Sequence, residues 1–212
     1  MSKKRDQEYA RLGRDLVRGI IISAFEKGDI SYGDIKNPTN LRDHLKKFST
    51  STKKDDDLYI VIDHRETILK DAKKHLVNGK YDYAKVFFAM YFEHETNHLL
   101  INLLQRRNMK EKTVKSIVQK SLNEKLTWIL DLIGEKRPNE EFLKFLQPLS
   151  EDRNSFMHYK FAGKQANHDY SLTEKEKELL LKNVAYFRGF VSRSLYGSRK
   201  TEIISLIYKQ FN

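Results

Sequence analysis

From about Tyr81 to Leu104 the chain is apolar around most of a helix circumference. Tyr83, Ala84, Val86, Phe87, Phe88, Ala89, Met90, Tyr91 and Phe92 cover one end, and Leu99, Leu100, Ile101, Leu103 and Leu104 repeat the pattern at the other. A helix clothed on all sides has to be enclosed by others. Periodic segments to either side supply them. They are expected from about Tyr9 to Phe25, ended near Gly28, from His64 to Leu76 before Asn78-Gly79, and from Leu122 to Leu132 before Gly134. Pro138 is expected to open another helix and Pro148 to close it, with Ser150 capping the next. A long helix from Ser171 to about Tyr196 and a last one over Thr201 to Tyr208 complete the set. Short links between so many helices imply an all-α bundle. The expected organisation is an N-terminal helical and irregular extension over 1–62, followed by a helical domain over 63–212.

Within the extension, the stretch after Gly28 is punctuated by Gly33, Asn37, Pro38 and Asn40, and the polar run from Ser49 to Asp57 reads as a loop or linker. Leu58 to Ile62 fits either a short strand or the lead-in to the next helix. No glycine-rich phosphate cradle surrounds Gly163 or Gly189.

Charge narrows the partners. Forty Lys and Arg face 29 Asp and Glu, a formal charge of +11, which favours a polyanion. Zero cysteines exclude disulfides, thiolate metal sites and cysteine nucleophiles, and a cytoplasmic location is the default expectation. The apolar patch from Leu16 to Phe25, broken by Arg18 and Gly19, is too short for a membrane span and does not read as a signal peptide.

Two constellations carry candidate chemistry. Glu93-His94-Glu95-Thr96-Asn97-His98 interrupts the apolar helix. Buried polar groups there need partners, so the block should line a cleft, an interface or a hydrogen-bond network. His94-Glu95-x-x-His98 also fits the zinc-protease pattern, with two ligands one turn apart and Glu95 as a possible base. Ile101 and Leu104 stand where one class of such enzymes needs Gly and His, and Trp128 stands where another needs a supporting Asp after Asn123-Glu124.

The second constellation is Arg153-Asn154-Ser155-Phe156-Met157-His158. A guanidinium suits phosphate oxygens, and imidazole exchanges protons near neutral pH. Asn154 and His158 share a helix face, whereas Arg153 lies roughly 140° from His158 around an ideal helix. Arg153 must therefore bend round or serve a site completed by another surface.

Arg153, a polar Asn154 and then His158 resemble the arginine, four to six residues, histidine signature of HEPN-domain ribonucleases. Ala84 to Asn102 is similar to the central helix of Abi-type HEPN proteins, and Lys125 to Gly134 to their next helix, so the likeness covers about 68–196. It implies a HEPN-like bundle that dimerises, setting two Arg–His motifs across one cleft. It also implies cofactor-free, metal-independent cutting of RNA by the 2′-hydroxyl, with Arg153 on the phosphate and His158 in proton transfer. Asn154, Asn97, Glu93, His98 and Tyr159 are the expected supporting residues. Some HEPN toxins carry a tyrosine two residues after the motif histidine, where a partner nucleotidyltransferase modifies it. Lys160 stands there, with Tyr159 one position earlier, a departure that speaks against that form of control.

Arg106, Arg107, Lys110, Lys112 and Lys115, with Lys160, are the expected RNA-binding residues, and Lys120, Arg188, Arg193, Arg199 and Lys200 add positive charge. Contacts of this kind raise affinity without specifying sequence. The expected partners are RNA, with tRNA and mRNA first, a second copy of the chain, and an antitoxin or phage-sensing partner, with no membrane. A non-catalytic HEPN-like RNA-binding or dimerisation module is the rival reading. The acidic, irregular extension, including Asp55-Asp56-Asp57, is a candidate for restraining the site.

Overall fold

The computed structural model describes residues 2–51, 63–157 and 172–211, and every regular element among them is helical. In chain order these are α1 (Ser2–Lys27), α2 (Tyr32–Lys36), α3 (Pro38–Ser51), α4 (Arg65–Val77), α5 (Tyr81–Arg106), α6 (Glu111–Val118), α7 (122–132), α8 (Glu140–Met157), α9 (Glu174–Tyr196) and α10 (Lys200–Gln210). The all-α expectation holds. Leu58 to Ile62 lies outside the described residues.

Two units divide the chain. The first takes in 1–60, 102–109 and 195–212, so the C-terminal helix belongs with the N-terminal segment rather than with 63–194. Side chains far apart in sequence explain this. Arg18 donates to the carbonyl of Phe211 at 2.9 Å and lies over the Tyr208 ring, Tyr32 bonds Glu202, and Gln210 donates to the carbonyl of Ile35. Ile203 and Ile207 are buried with Ile21, Ile30, Ile35 and Leu41. Helix α1 ends at Gly28, whose φ of 85° only glycine adopts freely. A Cβ there would meet Arg106 Cγ at 2.9 Å. The expected irregular stretch after Gly28 is instead helical over α2 and α3, because Ser31 and Asp34 form a reciprocal cap and Pro38 occupies a first-turn position where its missing N–H costs nothing.

The second unit spans 61–101 and 110–194. Within it α5 is buried on several faces at once, through Ala84, Phe88, Tyr91, Phe92, Thr96, Leu99 and Leu100. Phe92 meets Phe142 and Phe145 of α8 and Phe187 of α9 edge-on, and Phe142 stacks on Phe187 at 4.8 Å.

Three local expectations change. The basic segment after Arg106, expected from the sequence to be a connector between helices, is itself helical over Glu111–Val118 and buries Val114. Asn139, not Pro138, caps α8, its side-chain oxygen accepting from the Phe142 amide at 2.9 Å. Pro148 does not close that helix: α8 runs unbroken from Glu140 to Met157, and Ser150 donates its hydroxyl to the Leu146 carbonyl at 3.0 Å instead of capping a new helix. Helix α7 is α-helical over Leu122–Glu124, widens to a π-helix over Lys125–Ile129, and is α-helical again over Leu130–Leu132.

Candidate functional site

Because α8 is continuous, Arg153 sits in its last turns rather than at a helix start, facing α5. Its Nη2 lies 2.9 Å from Glu93 Oε2, and its Nη1 donates to the Asn154 side-chain oxygen at 2.9 Å. The Glu93 carboxylate is shared. Its Oε1 is 3.7 Å from Lys125 Nζ on α7, and that ammonium donates to Asn97 Oδ1 at 2.8 Å. Glu93 and Asn97 are one turn apart on α5 and so face the same way. Four of the expected residues, Arg153, Asn154, Glu93 and Asn97, are thereby brought together.

Lys125 is the member that sequence reasoning missed. It is 0% exposed, while Glu93 and Arg153 remain 29% and 32% exposed through their side chains. Burial pulls its ammonium below the ordinary lysine range, with Glu93 opposing and Arg153 adding to the shift. The signal was present in the pattern, since position 125 falls on the apolar stripe of Leu122, Leu126 and Ile129, where a lysine is out of place.

Beside this cluster opens a cleft of about 480 Å³. Ala89 and Glu93 line it from α5, Leu122 and Asn123 from α7, and Leu143, Leu146, Gln147, Arg153 and Asn154 from α8, with Gln119 and Lys120 at the turn before α7. Its lining mixes apolar side chains and amides with the Lys120 and Arg153 cations and the Glu93 and Glu151 carboxylates, a setting that suits a small polar group.

The polar block of α5 divides in two. Positions 93 and 95 point to nearly opposite sides of a helix, and Glu95 accordingly pairs with Arg65 at 3.0 Å. Arg65 also grips Asp63 through Nε and Nη2. Those bonds, with the nearby His98 charge contributing least, hold the Asp63 carboxyl down at about 2. The His98 charge thus acts on Asp63, on the Arg65 side of α5. Burial and the Glu95 charge push the Tyr91 phenol up. His94 is exposed and Glu95 is occupied by Arg65. Among the described residues no three His, Asp or Glu side chains converge as metal ligands.

Arg106, expected on an RNA track, has a structural task. Its Nε donates to the Glu26 carbonyl at 2.8 Å and its Nη2 to the Leu195 carbonyl at 2.7 Å, serving helix-end oxygens that lack partners along their own helices. Arg107, Lys110, Lys112 and Lys115 are exposed, with Arg107 donating to the Leu103 carbonyl and Lys115 paired to Glu111. Arg106 and Arg107 belong to the first unit and the lysines to the second. His158, Tyr159 and Lys160 lie outside the described residues.

Fold and site together define an all-helical protein with an arginine–carboxylate–lysine cluster at the rim of an open cleft. No helix among the described residues is long and apolar enough to cross a membrane. No family model, curated protein or solved structure matches the chain.

Proposed function

We propose that the chain is a metal-independent endoribonuclease whose chemistry is carried by Arg153 and His158, completed by a second copy of the chain and acting as a toxin or an abortive-infection effector in the cytoplasm. The observation that carries this reading is the setting of Arg153: a guanidinium held by Glu93 at the rim of a cleft, a few residues before His158. The excess of positive charge fits a polyanionic substrate, and the HEPN likeness of the motif supplies the reaction class.

In that reaction the 2′-oxygen bonds to the adjacent phosphorus as the phosphorus–O5′ bond breaks. The 2′-hydroxyl loses a proton, O5′ gains one, and the products end in a 2′,3′-cyclic phosphate and a 5′-hydroxyl. His158 serves in proton transfer, a role typically worth about 10²- to 10⁴-fold in rate. Arg153 opposes the charge that grows on the phosphate oxygens. For the phosphate to reach Arg153, the guanidinium has to exchange Glu93 for substrate or engage both.

That same ion pair favours a second reading, in which Arg153 is a structural residue of a non-catalytic RNA-binding or dimerisation module. Incubation of the purified protein with RNA in excess chelator separates them. Cleavage lost in Arg153→Ala, with folding intact, supports the nuclease; binding without turnover supports the module.

A further inference from the structure

Among the described residues of the second unit, Lys125 is the one fully buried cation, and the ordinary requirements of packing do not explain it. Its neighbours Leu126, Ile129 and Leu130 show what the position accommodates. Burying an ammonium is costly unless it is well paired, and apolar replacements of buried ion pairs are often neutral or stabilising. The helix that carries it also departs from α geometry starting at this residue, with a π segment over Lys125–Ile129. Such bulges are frequent at functional sites.

We infer that Lys125 is a positioning residue for the cleft: its ammonium holds Glu93 and Asn97 in place, and Glu93 in turn holds the Arg153 guanidinium at the rim. This rests on the nuclease reading for its consequence in catalysis, though not for its geometry. Lys125 Nζ is fixed by Asn97 Oδ1 at 2.8 Å and faces Glu93 Oε1 at 3.7 Å, leaving Glu93 Oε2 for Arg153 Nη2 at 2.9 Å. Three helices are thereby tied through one carboxylate. Without the lysine, Glu93 keeps one cation and is free to turn, and Arg153 turns with it. A misplacement of about 1 Å can cost a reaction on the order of 100-fold. Removing the lysine leaves no buried charge stranded, since Glu93 is partly exposed and still meets Arg153.

The test uses the full-length protein and two variants, Lys125→Met and Lys125→Met/Glu93→Gln. Three readings are taken: thermal midpoint, cleavage rate at saturating RNA, and the Arg153 Nε–H signal by nitrogen-15 NMR. The expected result is a midpoint unchanged or raised, a saturating rate lowered about tenfold or more with little change in KM, and a displaced Arg153 signal in both variants. Full cleavage in Lys125→Met, or a midpoint that falls in step with the rate, overturns the inference and makes the lysine structural. If the unaltered protein cuts no RNA, the nuclease reading fails by itself. The NMR comparison still decides the positioning role, a displaced Arg153 signal supporting it and an unmoved one refuting it.

Discussion

Glu93 of α5 meets Arg153 of α8 through a 2.9 Å contact between carboxylate and guanidinium, in the wall of a cleft. The pair has two effects on an incoming phosphate. It keeps the guanidinium in one place, and it sets a negative charge where the phosphate would approach.

Glu93→Gln separates those effects. Loss of the carboxylate adds one unit of positive charge to the rim, so RNA should bind more tightly at low salt. The slope of log affinity against log salt should steepen by about 0.7 if one more phosphate is neutralised. The saturating cleavage rate should fall, because Arg153 loses its support. Titration over a salt series and single-turnover kinetics give both readings.

Arg65→Ala probes the opposite side of α5. It strands the buried Glu95 carboxylate, whose pairing with Arg65 at 3.0 Å is its charged contact there. Leaving a buried acceptor without its partner costs about 1 to 3 kcal/mol, measurable by urea denaturation. Glu95→Gln should leave RNA cleavage per folded molecule unchanged, since Glu95 does not face the Arg153 cluster. Chelator-sensitive peptide hydrolysis lost in that variant would instead favour the zinc reading.

Asp63 gives an acid limb. Its carboxyl is held at about 2 in the folded chain against an ordinary 3.8, chiefly by hydrogen bonds from Arg65. The folded-state value is depressed, so the stabilisation is present above pH 3.8 and is lost as pH falls toward 2. Asp63→Asn should flatten that part of the stability profile, as followed by denaturant midpoints across the acid range.

Lys125 gives the opposite limb. Its ammonium is shifted below 10.5 by burial, so the unfolded chain binds the proton more tightly. The burden of the buried charge is present at neutral pH and is relieved as pH rises toward 10.5. Subtracting the Lys125→Met profile from that of the unaltered protein should reveal a contribution that rises with pH and levels off above 10.5.

Much of the fold was legible because periodicity reports burial directly. The all-round apolar pattern from Tyr81 located α5, and the stripe from Leu122 located α7. Pro148 misled, since a proline argues for a helix end, yet α8 buries Phe142, Leu146 and Leu149 along one continuous face and tolerates the lost N–H bond. The union of α10 with α1 and α2 was not legible, because it depends on contacts such as Arg18 to Phe211 that span most of the chain. At the site, the chemistry of Arg153 and Glu93 could be read from their types. The opposite facing of Glu93 and Glu95 follows from helix geometry alone. Lys125 needed tertiary structure to name its partners, although its place on an apolar stripe marked it.

Cleavage of a single-stranded RNA by the purified protein in excess EDTA, with the new ends identified, bears most directly on the nuclease account. A 2′,3′-cyclic phosphate and a 5′-hydroxyl should form, and the rate should fall by about 10²-fold or more in His158→Ala, with folding and dimerisation retained. Undiminished cleavage in that variant, or no cleavage by the unaltered protein, would contradict it.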